Sequence, residues 1–116
     1  MALHIGNSVV VKSGVLDPDF GIDIGGWQGR IEEDGVDHFL IRWDSITLCK
    51  MGLHQIIRSM DEGLDWELMT LEIDELTITT PRDTKADVSR VVSHMEKKAD
   101  DQWKETHEGI VWNDFI

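Results

Sequence analysis

The chain has a single cysteine, Cys49, no tyrosine, and only two prolines among its 116 residues. One cysteine excludes an internal disulfide framework and the cysteine-rich structural zinc sites. Basic residues are scarce as well: 11 Lys and Arg stand against 23 Asp and Glu, a formal net charge of −12. That balance disfavours direct binding to DNA, RNA or anionic membranes, because neutralising phosphates takes Lys and Arg. No run approaches the roughly 18 consecutive apolar residues of a membrane span. The opening, MALHIGNSVVVKSG, lacks the basic start and apolar core of a signal peptide. A soluble, cytoplasmic protein is expected.

What is present suffices for one domain. Hydrophobic residues make up 41% of the chain, and a chain of this length buries about two-thirds of its unfolded surface without staples. Residues 1–80 read as β-rich. Residues 8–12 (SVVVK) form a β-branched run suited to a buried strand. Residues 27–33 (WQGRIEE) alternate, with Trp27, Gly29 and Ile31 on one face. Asp34-Gly35 signals a hairpin whose glycine takes a positive φ, and the returning strand spans residues 38–43, with Phe39, Ile41 and Trp43 on its apolar parity. Trp27 and Trp43 are therefore expected in the core. Residues 45–48 (SITL) read as a further short strand. Leu53, Ile56, Ile57 and Met60 fall on one stripe and predict a short helix over 52–62, ended by Gly63. Residues 64–79 return to extended structure, with a bulge or break at Asp74-Glu75 where the apolar parity switches.

The C-terminal 36 residues read as helical. Thr80-Pro81-Arg82-Asp83 offers an N-cap hydroxyl, a first-turn proline and an acid. Val88, Val91, Val92, Met95, Ala99 and Trp103 then form one apolar stripe, so this helix packs against the β-rich part or a second chain. The tail, residues 110–116 (IVWNDFI), is greasy for a free end and is expected to dock on its own core or on a neighbour.

Charge is unevenly spread. Residues 1–80 hold fifteen acids and five bases, and between Arg58 and Arg82 there are seven acids and no base. The connection over residues 13–26 is long for a small domain and carries Asp17, Asp19 and Asp23, which marks a binding loop. Three carboxylates on a loop suggest calcium, but the calcium-loop pattern fails at Gly21 and Gln28, where ligands belong. Turn formation by the aspartates is the expected role. The glycines Gly21, Gly25, Gly26 and Gly29 lead into a strand and have no lysine, so they mark tight turning and close strand approach instead of a phosphate loop. Trp66, flanked by Asp65 and Glu67, is the candidate surface aromatic. The five histidines show no metal spacing. Cys49 reads as a small hydrophobe. No catalytic constellation emerges, and neither a metal nor a cofactor is expected.

Gly6-x-x-Val9-x-Val11-x-x-Gly14, then Gly26-x-x-Gly29-x-Ile31 and Phe39-x-Ile41-x-Trp43-Asp44, resembles the opening of small SH3-like barrels. The spacing is also similar to the KOW modules of ribosomal and transcription proteins. RNA binding does not carry over, since Lys12 and Arg30 are nearly the only bases in that stretch. More narrowly, VVVKSGVLDPDFGIDIGGWQGRI with IRWDSITL resembles a group of uncharacterised small bacterial proteins, some carried on integron gene cassettes. The resemblance covers roughly residues 6–80 and implies fold without function. The expected architecture is a single mainly β domain of the α+β class. It comprises a five-stranded SH3-like barrel, a short helix before the last strand, and a long amphipathic C-terminal helix.

The expected function is a non-catalytic protein-interaction module. Its groove, rimmed by Asp17, Asp19, Asp23 and Trp66, would take a basic peptide or protein surface. Two alternatives accompany it: a small-ligand pocket or enzyme site between barrel and C-terminal helix, and an acidic mimic of nucleic acid. A homodimer through the C-terminal helix and tail is compatible with each.

Overall fold

The computed structural model describes the backbone of residues 3–115 and the side chains of residues 3–105. Its elements run β1 (Ser8–Val11), β2 (Gln28–Asp34), β3 (His38–Trp43), α1 (Ser45–Asp61), β4 (Leu68–Glu72), a 3-10 turn (Ile73–Glu75), β5 (Leu76–Ile78) and α2 (Lys85–Phe115). The five strands form one antiparallel sheet in the order β4-β3-β2-β1-β5. The class is α+β. With β4 and β5 at opposite edges, the sheet stays open among the described residues and does not close into the expected barrel.

The alternating apolar positions of the strands form the core. Val9, Val11, Ile31, Phe39, Ile41, Trp43, Leu71 and Leu76 are all buried, and α1 adds Leu48 and Ile56. Trp27 meets Trp43 edge to face at 5.1 Å, the arrangement that the ring quadrupole favours. Gly29 lies where strands approach too closely for a side chain: a Cβ there would sit 2.4 Å from the Arg42 carbonyl oxygen. The β2–β3 turn is likewise a matter of space. A Cβ on Gly35 would meet the His38 carbonyl oxygen at 2.6 Å, and Gly35 is not among the positive-φ glycines, contrary to expectation.

Residues 45–48 form the first turn of α1 and not a strand. Asp44 ends β3's chain direction with extended φ and ψ, and its side chain accepts from the Thr47 N–H at 2.8 Å. This N-cap overrides the strand preference of Ile46 and Thr47. The helix bends at Gly52, where φ is 81° and ψ is 162°, a region essentially restricted to glycine. Gly52 thus separates two helical segments, and the second, residues 53–61, is the predicted short helix; α1 as a whole precedes two strands, β4 and β5. Cys49 lies exposed on its first half. The expected break at Asp74-Glu75 is the 3-10 turn that separates those two strands.

α2 begins four residues later than Thr80-Pro81 suggests. Thr84 and Asp87 exchange bonds at its start, Asp87 N–H to Thr84 Oγ1 at 3.2 Å and Thr84 N–H to Asp87 Oδ2 at 2.9 Å, the reciprocal pattern of a capping box. Arg82 and Asp83 are held outside the helix by the α1 N-terminus. Arg82 Nε donates to Asp44 Oδ2 at 2.7 Å, and Asp83 Oδ2 accepts from the Ser45 N–H at 2.7 Å. Val88 and Ala99 are buried, with Val91, Val92 and Met95 packed against the core, so the predicted stripe faces the protein's own interior along that length. The tail, residues 110–116, lies outside the described side chains. Among the described residues, no helix is long and apolar enough to cross a membrane.

Candidate interaction cleft

The connection between β1 and β2 folds back on itself. Leu16 and Asp23 pair across it in an isolated antiparallel bridge, and the Ile24 N–H donates to the Val15 carbonyl at 2.9 Å. At its tip, Asp17 Oδ1 accepts from the N–H groups of Asp19 at 2.7 Å and Phe20 at 3.3 Å, so the Asp-Pro sequence acts through turn chemistry. Asp17 is only 4% exposed and organises the loop from inside instead of rimming a groove. Phe20 lies beneath the Arg58 guanidinium, 4.2 Å from its ring centroid, a cation–π contact that ties the loop to α1.

Held there, the loop closes one side of a cleft of about 370 Å³ against α1 and the β3–β4 side of the sheet. Trp27, Leu40, Trp43 and Met69 contribute its apolar surface, with Met51 of α1 opposite. Asp19 and Asp65 also line it and are exposed, which places two carboxylates at its rim. Neither forms an ion pair among the described residues. Asp65 Oδ1 accepts from the Glu67 N–H at 3.1 Å, a local turn that leaves Asp65 outside and Trp66 within.

Asp17, Asp19 and Trp66, three of the four anticipated residues, therefore meet at one cleft, and their roles differ from expectation. Asp19 is the rim carboxylate. Trp66, 8% exposed and part of the core, is a wall and not a surface aromatic. Asp23 does not line the cleft; its Oδ1 accepts from the Gly25 N–H at 2.8 Å on the returning arm of the loop. Asp65 and the β4 residues Leu68 and Thr70 escaped the sequence reading, although Asp65 belongs to the base-free acidic stretch. The Ser59 hydroxyl, also on this cleft, donates to the Gln55 carbonyl at 3.0 Å. Trp43 carries a buried indole N–H with no hydrogen-bond partner among the described residues.

A second cleft, of about 410 Å³, lies between the sheet and α2 and is lined by Arg30, Arg42, Lys85, Glu32 and Glu67 among others. Arg42 bridges Glu32 and Glu67, each at 3.2 Å, and Arg30 pairs with Asp83 at 2.8 Å. Burial pushes the Glu67 carboxyl above its ordinary value, aided by the Asp65 carboxylate, while Arg42 opposes the shift. Both arginines of this cleft are thus already neutralised within the protein. Among the described residues, no group of three or more His, Cys, Asp and Glu is arranged to hold a metal ion.

No family model, curated protein or solved structure matches the chain.

Proposed function

We propose that the chain is a non-catalytic interaction module, built as a variant of the small SH3-like barrels, that takes a basic segment of a partner protein into the cleft beneath its acidic loop. The observation that carries this reading is the pairing of an apolar floor with two exposed carboxylates, Asp19 and Asp65, neither matched by a base among the described residues. Apolar side chains of the partner fill the cleft, and Lys or Arg beside them meet the rim. The net charge of −12 steers such a partner from a distance. The strand order and the long loop between the first two strands support the SH3-like part of the proposal.

The test is fluorescence anisotropy with labelled peptides in which one or two apolar residues sit among Lys and Arg. Binding weakens as salt rises, and Asp19→Asn with Asp65→Asn together weaken it about 2- to 30-fold, from roughly 0.2–1 kcal/mol per exposed ion pair. Affinity that neither salt nor the double substitution alters counts against the reading.

A further inference from the structure

The cleft is bounded by a sheet edge as well as by side chains. β4 pairs with β3 on one side only, in the register Ile41↔Met69 and Phe39↔Leu71. The Trp43 N–H donates to the Glu67 carbonyl at 3.0 Å, which fixes 43 and 67 as a hydrogen-bonded pair. Antiparallel pairing alternates, so Met69 and Leu71 direct their backbone groups at β3, while Leu68, Thr70 and Glu72 direct theirs away from it. The outward N–H of Glu72 is taken by the Glu75 side chain at 2.8 Å. The outward N–H and C=O groups of Leu68 and Thr70 have no backbone partner among the described residues. Both residues line the cleft that carries Asp19 and Asp65.

We infer that the basic partner segment binds in extended form as a sixth strand, pairing with the outer edge of β4 at Leu68 and Thr70; this rests on the function proposed above. Strand addition draws affinity from main-chain hydrogen bonds and specificity from pockets that receive alternate side chains. Here the apolar floor beside β4 takes one parity of the incoming strand. Lys or Arg at neighbouring positions answer Asp19 and Asp65. An unguarded strand edge invites indiscriminate pairing, and the rim carboxylates select for positive segments and repel a second copy of this acidic chain.

The probe is a fluorescein-labelled peptide of eight residues alternating Lys or Arg with Leu or Val, together with two versions N-methylated at alternate residues in opposite phase. Only one phase of N–H groups faces β4, so one N-methylated peptide loses binding by about tenfold or more and the other stays within about threefold. On the protein side, Thr70→Pro removes an outward N–H without breaking the β3 ladder, which edge positions tolerate, and weakens the parent peptide about tenfold. Thr70→Val keeps the N–H and leaves affinity within about twofold. If both N-methylated peptides bind like the parent, strand addition is wrong while the interaction-module reading stands. If the parent peptide does not bind at all, both fail. If the protein sediments as a dimer that Thr70→Pro dissolves, the occupant of the edge is a second copy, and the inference is overturned. The peptide arm decides the matter even if Thr70→Pro does not fold.

Discussion

Asp44 performs two tasks with one carboxylate. It caps α1 through the Thr47 N–H and receives Arg82 from the segment that leads into α2, while only 4% exposed. Removing it leaves a helix end uncapped and a cation unpaired, so Asp44→Ala costs about 2–4 kcal/mol, read by urea denaturation. Asp44→Asn keeps a capping oxygen and costs less. Its neighbour Asp83 supplies a pH signature. Burial pushes the Asp83 carboxyl up, but the bonds from Ser45 and from the Arg30 guanidinium outweigh it and hold it below the usual carboxylate range. A carboxyl depressed in the folded state contributes stability that is complete above its unfolded value, about 3.9, and lost as pH falls through the folded one. Stability therefore declines on acidification below about pH 4, and Asp83→Asn flattens that decline. None of this was legible in the sequence, where Arg82 and Asp83 read as part of a helix start. Their partners lie 38 residues away at Asp44 and Ser45, and no local pattern announces such a pairing. Trp66 misleads for a related reason: acidic neighbours suggest exposure, yet a turn at Asp65 sends the indole inward.

At the scale of elements, periodicity carried the reading a long way. β3 coincides with its predicted span, β1 and β2 each differ by one residue at their ends, and the α2 stripe from Val88 to Ala99 faces the core as expected. The failure at α1 is instructive. Residues 45–48 looked like a strand because Ile46 and Thr47 are β-branched and nothing in their spacing marks the residue in front of them, Asp44, as a helix cap. The start of the second helical segment at Gly52 was legible, and a residue at φ 81° and ψ 162° does interrupt the helix there; the segment before it, residues 45–51, was the one missed. Replacing that glycine tests the bend. Gly52→Ala places a Cβ in a region costing about 1–3 kcal/mol, although no atom within 4 Å obstructs it. The expected loss of stability is thus conformational, and chemical denaturation measures it. Met51 and Gln55 flank the bend and line the cleft, so the variant also weakens peptide binding, in contrast to Asp44→Asn, whose site lies off the cleft.

For the whole molecule, charge acts in opposite directions on folding and on binding. Local ion pairs such as Arg82–Asp44 at 2.7 Å and Arg30–Asp83 at 2.8 Å are much shorter than any Debye length in ordinary buffers, which falls from about 30 Å at 0.01 M salt to about 8 Å at 0.15 M. Added salt leaves them largely intact. The repulsion among the remaining acids of a −12 chain acts over longer distances and is screened across the same range, as is the attraction of a basic segment to Asp19 and Asp65. The sign of total charge was legible from composition, but its arrangement was not, because whether acids surround a cleft or dissipate over a surface depends on how the sheet curves. That same dependence hid whether the sheet closes, and the expected number of five strands matches only because residues 45–48 are helical while residues 64–79 supply two strands instead of one. Raising salt from 0.01 to 0.15 M should therefore increase the melting temperature of the free protein and reduce its affinity for the basic peptide. Differential scanning calorimetry and anisotropy on one preparation measure the two slopes. A melting temperature that falls instead would mean the ion pairs around Asp44 and Asp83 outweigh the long-range repulsion, and that the acidity is already balanced within the fold instead of being held out for a partner.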